Sequence, residues 1–174
     1  VSYWPTGFDC KLPRCPQPAK PDSEAIVFLI GEAKKKADVV VVSYHWGTEY
    51  KHFPNDLQKR LGRICIDAGA DLIVGHHPHA IQSIEKYNGK FIVYSLGNCI
   101  FDQTFEMGTE GLLFSCALDT SGVIDPHVIP FIIRDGRPEA AKGQDFNRIS
   151  QKLRKYCIGY PITLVEKNSM IMLK

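Results

Sequence analysis

Asp38-Val39-Val40-Val41-Val42-Ser43-Tyr44-His45-Trp46-Gly47 and Asp71-Leu72-Ile73-Val74-Gly75-His76-His77-Pro78-His79 are the two stretches whose reading decides the fold. Each opens on Asp, runs through aliphatic residues without polar alternation, and ends among histidines. A continuous apolar run of this kind, 38–43 and again 71–74, is the pattern of a strand buried on both faces of a parallel sheet. Between them, Asn55 to Ala68 places Leu57, Leu61, Ile64 and Cys65 at helical spacing, with Gly69 as the terminating residue. Strand, helix and strand within about 30 residues make a βαβ unit. Such units are right-handed with parallel strands, so both strands finish at one edge of the sheet. His45 and the histidines of 76–79 are therefore expected to meet in space.

Working outward, Asp22 or Ser23 can cap a helix over 23–36. Its Ile26, Phe28, Leu29, Ile30 and Ala33 would form a buried stripe, and Lys34, Lys35 and Lys36 a solvated end favoured by the helix dipole. Residues 1–21 carry five prolines and read as an extended connector. Downstream, Ile84 to Tyr87 and Lys90 to Ser95 flank Asn88-Gly89, a hairpin signal. Leu112 to Asp119 and Val123 to Arg134 form a second antiparallel pair. Gly143 to Tyr156 reads as a helix with Phe146, Ile149, Leu153 and Tyr156 on one face, and Ile162 to Val165 as a short final strand. The divisions expected are a connector over 1–21, an α/β unit over 22–140, and a C-terminal helix and strand over 141–174.

The chain has 174 residues, 44% of them hydrophobic and 23% charged, enough for one domain with a core. Lys plus Arg is 21 and Asp plus Glu is 19, a net charge of +2, so no field selects nucleic acid or an anionic membrane. The longest apolar run, Ala25 to Ile30, is far short of the roughly 20 residues that cross a bilayer. The chain as given is expected to be soluble. Of the six cysteines, Cys65, Cys99 and Cys116 lie in apolar runs and read as buried thiols, whereas Cys10 and Cys15 sit in a proline-rich loop where a local disulfide stays open.

Five of the six histidines fall between positions 45 and 79. His77 and His79 flank a proline that stiffens their loop, and His45 arrives from the neighbouring strand. Three imidazoles at the carboxyl edge of a parallel sheet point to metal ligation. Glu49 and Asp102 are candidate carboxylates for supporting the ligands or facing substrate, and Asn98 stands with them. His52 and His127 read as surface or satisfied histidines, and Trp46 as a packed wall of the cleft.

His45-Trp46-Gly47-Thr48-Glu49-Tyr50, then Pro54, Gln58, Asp67-Ala68-Gly69-Ala70-Asp71, Gly75-His76-His77-Pro78-His79, Gln82 and Tyr94-Ser95-Leu96-Gly97-Asn98 through Phe101-Asp102 together resemble the CapA family of poly-γ-glutamate capsule biosynthesis proteins. The resemblance extends over residues 22–135. It implies a fold similar to the calcineurin-like metallophosphoesterases: an α/β/β/α sandwich with a dinuclear centre at the strand ends. His45 would match the isolated late histidine of that superfamily, and His77-Pro78-His79 its terminal His-x-His. The resemblance implies divalent metal ions, Mn, Zn or Fe, two in the complete protein, with His76 as a donor to substrate. The superfamily's earlier motifs, including the Gly-Asp with the bridging carboxylate and an Asn-His pair, would precede His45, yet residues 1–44 contain none of them. Gly97-Asn98 has the wrong order for Asn-His and is followed by Cys99.

The chain is accordingly expected to correspond to the C-terminal part of such a protein, beginning without Met at Val1 and supplying one histidine-rich half of the site. Two functions follow from the resemblance: a metal-dependent phosphoesterase or hydrolase acting on a phosphoester, or a non-catalytic component of the capsule machinery that binds or exports polyglutamate. A place at the cell envelope or outside the cytoplasm is likewise implied by the family alone, with any membrane association made through a segment outside this sequence. Exposed apolar sheet surface is expected, covered by a homodimer partner or by an N-terminal half.

Overall fold

The computed structural model of the chain describes residues 22–102 and 106–174. α1 (Ser23–Lys34) is capped by the Asp22 carboxylate, which accepts from the Glu24 N–H at 3.0 Å. β1 (Val41–His45) and β2 (Leu72–His76) are parallel neighbours, with Val41 opposite Leu72 and His45 opposite His76. The crossover between them is α2 (Asp56–Asp67), started by a capping box in which Asn55 and Gln58 satisfy each other's backbone N–H groups. The βαβ unit is thus formed as its residue pattern demands.

β3 (Ile84–Tyr87) and β4 (Lys90–Val93) pair through Asn88 and Gly89, both at positive φ. β4 then lies parallel to β2, so the first sheet runs β1-β2-β4-β3. Successive residues of its inner strands serve opposite faces. Ile73 and Ile92 join Ile26 and Ile30 of α1 and Leu61, Cys65 and Ile66 of α2, while Leu72, Phe91 and Val93 face the other core.

That second core is shared with an antiparallel sheet. β5 (Glu110–Asp119), β6 (Gly122–Arg134), β7 (Arg137–Ala140), β8 (Leu164–Lys167) and β9 (Met170–Leu173) are arranged β5-β6-β9-β8, with β7 also paired to β6. α3 (Gly143–Tyr156) contributes Phe146, Ile149, Leu153 and Tyr156, all buried with Val128, Ile132 and Ile171 of this sheet. A mixed sheet, parallel through β1, β2 and β4, is covered by helices on one face and meets an antiparallel sheet and α3 on the other.

Several expectations need correction. Among the described residues β1 is the outermost strand of its sheet rather than one buried on both faces, and Val41 is 46% exposed. In α1 only Ile26 and Ile30 are buried, whereas Phe28 and Leu29 are 66% and 59% exposed and belong to neither core. Lys34 is not simply solvated: its ammonium donates to Asp71 at 3.0 Å and to the Asp38 carbonyl at 2.6 Å. Cys99 is exposed and Cys116 half-buried, so of the three thiols assigned to the core only Cys65 is there. The expected strand at 162–165 proves to be a hairpin, β8 and β9, turned at Asn168 and Ser169, both at positive φ. Cys10, Cys15 and the 1–21 connector lie outside the described residues. Among those described, no helix is long and apolar enough to cross a membrane.

Gly75 shows how tightly the site-bearing edge is built. A Cβ there would lie 2.0 Å from the Tyr94 carbonyl oxygen and 2.4 Å from the Trp46 Nε1, so only glycine allows β2 to pass. Trp46 is accordingly a core residue, donating from Nε1 to the Tyr94 carbonyl at 2.8 Å and stacked on Tyr44 at 4.2 Å.

Candidate functional site

His45 is the last residue of β1 and His76 the last of β2, and the two are register partners. Beyond β2 the chain turns through His77 and His79 at φ 98° and 55°. Residues with a Cβ adopt this left-handed region at a cost of about 1–3 kcal/mol each, and such strain gathers where a site requires it. Facing them is the loop after β1. Tyr50, itself at φ 58°, donates its N–H to the Pro78 carbonyl at 2.7 Å and so fastens one loop to the other.

The fastening brings Glu49 to the histidines. Glu49, His77 and His79 each offer a ligand atom within 4.8 Å of the others, Glu49 exposed and both imidazoles half-buried. His45 borders the group, its ring centroid 4.7 Å from that of His77. Burial pushes the His45 imidazole below its ordinary value, and His77, His76 and His79 push it further. Burial also lowers His77, with Glu49 opposing and His79 adding to the shift, and burial alone lowers His76. Neutral imidazoles keep the lone pair that metal ligation needs.

Asn98 acts on His79 directly. Its Nδ2 donates to the Gly108 carbonyl at 3.0 Å, which turns its Oδ1 toward His79 Nδ1 at 2.7 Å. Nδ1 therefore carries the proton and Nε2 the lone pair, the tautomer that a hydrogen-bonded metal-ligand histidine shows. Phe101 packs against the same ring at 5.0 Å. Asp102 is exposed and stands outside the group of Glu49, His77 and His79. His52 lies apart from the group, stacked on Tyr156 at 4.5 Å with its Nδ1 3.1 Å from the Ile81 carbonyl, and His127 is next to the Asp125 carbonyl.

The sequence pattern placed Glu49 as a support rather than beside the imidazoles as a ligand-range group. Its spacing from His45 was visible, but the Tyr50 to Pro78 bond that delivers it depends on a left-handed residue that no composition signal marks. The donor set, one carboxylate and two imidazoles within 4.8 Å with the proton of one ring fixed by Asn98, fits a divalent cation.

A parallel βαβ unit with a histidine and carboxylate cluster at its carboxyl edge, packed on an antiparallel sheet, places this chain among α/β proteins of the metallophosphoesterase-like sandwich type. Residues 10–103 match the family described as bacterial capsule synthesis protein PGA_cap, and the chain belongs to that family. It is 47% identical over 121 residues to the PGA biosynthesis protein CapA of Bacillus subtilis, covering 70% of this chain and 32% of the relative. It is 42% identical over 123 residues to the capsule biosynthesis protein CapA of Bacillus anthracis, covering 70% and 30%. A probable polyglutamine synthesis accessory protein of Mycobacterium tuberculosis is 35% identical over 95 residues, covering 53% and 24%. The chain thus spans about a third of the length of the Bacillus relatives it matches.

Proposed function

We propose that the protein acts in poly-γ-glutamate capsule biosynthesis and that Glu49, His77 and His79, bordered by His45, hold a divalent cation in a hydrolase-type site. The observation that carries this reading is the convergence of the three ligand atoms within 4.8 Å on strained, mutually fastened loops. Imidazole and carboxylate donors together suit Mn, Fe or Zn. A bound cation supplies Lewis acidity toward an anionic oxygen of a phosphoester or related substrate. The chain's own residues do the rest. Asn98 fixes the His79 tautomer, Tyr50 keeps the two loops in register, and His76, held neutral by burial, is the candidate donor to substrate. By the family resemblance, a second cation would draw on residues outside this sequence.

A second reading is favoured by one observation, the word "accessory" in the name of the mycobacterial relative. In it the same site binds polyglutamate without turnover, since fold alone does not establish an activity. Metal analysis of the purified protein, alongside Glu49→Ala and His79→Ala, tests the site: both variants should lose bound metal, and unchanged stoichiometry in both would remove it. A panel of phosphomonoesters and diesters with added Mn or Zn separates the two readings. Turnover abolished by chelation supports the hydrolase, and saturable polyglutamate binding without turnover supports the accessory module.

A further inference from the structure

Two glutamines are among the most deeply buried side chains in the molecule, Gln58 at 2% and Gln82 at 0% exposure. A buried primary amide is costly unless both its ends are bonded, and here they are bonded to each other and to one loop. The Asn55 N–H donates to Gln58 Oε1 at 3.0 Å, Gln58 Nε2 donates to Gln82 Oε1 at 2.9 Å, and Gln82 Nε2 donates to the Lys51 carbonyl at 2.9 Å. All three bonds run in one direction, the arrangement in which each polarises the next. Gly47 rests on the same amide: a Cβ there would lie 2.7 Å from both Nε2 and Oε1 of Gln58.

The loop so held is the one that carries Glu49. It meets Gln58 at Gly47 and Asn55, the Pro78 carbonyl at Tyr50, Gln82 at Lys51 and the Ile81 carbonyl at His52. Gln82 follows closely on His79, and its own N–H donates to the Ser95 carbonyl at 3.1 Å. One amide therefore spans the loop of the carboxylate and the segment of the imidazoles.

We infer that Gln58 and Gln82 are positioning residues that hold Glu49 in register with His77 and His79. The inference rests on the cation-site reading above and goes beyond it in assigning what sets the carboxylate's position. Neither glutamine touches the cation; both act through the backbone of residues 47–55.

The test titrates Co²⁺, read by its visible spectrum, into the wild type, Glu49→Gln, Gln82→Met and the double variant, with hydrogen exchange of the 47–54 amides. Gln82→Met should remain folded, exchange those amides faster, and bind Co²⁺ about tenfold more weakly with a spectrum shifted toward that of Glu49→Gln. The double variant should bind no more weakly than Glu49→Gln alone, because nothing is left to position. A control, Arg63→Met at the Glu85 ion pair, which shares no hydrogen bond with Gln58 or Gln82, should lower stability without weakening Co²⁺. Wild-type affinity and exchange in Gln82→Met, or fully additive losses in the double variant, would overturn the inference while leaving the cation site standing. A wild type that takes up no Co²⁺ would overturn the site itself, and the inference with it. If Gln82→Met does not fold, Gln58→Met cuts the same relay one bond earlier and is read in the same way.

Discussion

The tautomer of His79 is set by the 2.7 Å bond from its Nδ1 to Asn98. Asn98→Ala removes the acceptor and frees the ring to adopt the other tautomer. Cation affinity measured by calorimetry should then fall by about 10–100-fold, with little change in secondary structure. Burial holds His45, His76 and His77 below the ordinary imidazole value. The unfolded chain therefore accepts protons that the folded chain refuses, and stability is lost progressively as pH falls below about 6.5. Denaturant unfolding of the metal-free protein should show a lower midpoint at about pH 5.5 than at about pH 7.5, and His76→Gln should narrow the difference. At this scale the histidines were legible by type and spacing. The nearness of Glu49 was not, because an exposed glutamate in a polar loop looks like any other until the loop's hydrogen bonds are known. Asp102, in contrast, carried the same kind of signal and lies outside the cluster.

Asp71 joins three elements. Its carboxylate accepts from Lys34 of α1 at 3.0 Å, from Lys90 of β4 at 2.6 Å and from the Val40 N–H before β1 at 2.9 Å. Burial raises its pKa, but the bonds from Lys90, Val40 and Lys34 outweigh burial and leave it below the ordinary carboxylate value. Asp71→Asn should cost about 2–3 kcal/mol in denaturant unfolding, since charge-assisted bonds are weakened and both lysines are left partly desolvated. A loss near zero would show that the lysines simply return to solvent. Element type was readable wherever periodicity was strong, as in α2 and α3. At α1 the helix itself was readable but its buried side was not, because Ile26, Val27, Phe28, Leu29 and Ile30 spread over more than one face. β7 and β9 escaped notice because their turns, Asp135-Gly136 and Asn168-Ser169, join strands too short for alternation to register.

At the scale of the whole molecule, two-sided coverage of the inner strands explains why β2 reads as a continuous apolar run. The same run in β1 lies at the margin of the sheet among the described residues, where Val41 stays exposed and lines a groove with Leu29 of α1. Apolar edge strands attract further chains. Val41→Lys should therefore reduce concentration-dependent association in light scattering without lowering stability, and a wild type that stays monomeric at every concentration would contradict that expectation. The sequence pattern anticipated exposed apolar surface, though not its location, because the order of strands within a sheet is settled by long-range pairing rather than by local residues.

The central claim is that the loops after β1 and β2 together build one cation site. A crystal grown with manganese, measured at a wavelength where manganese scatters anomalously, tests it most directly. An anomalous peak bonded to Glu49, His77 and His79, absent in His79→Ala, is the expected result. Full manganese saturation in solution with no peak at those three residues would contradict it.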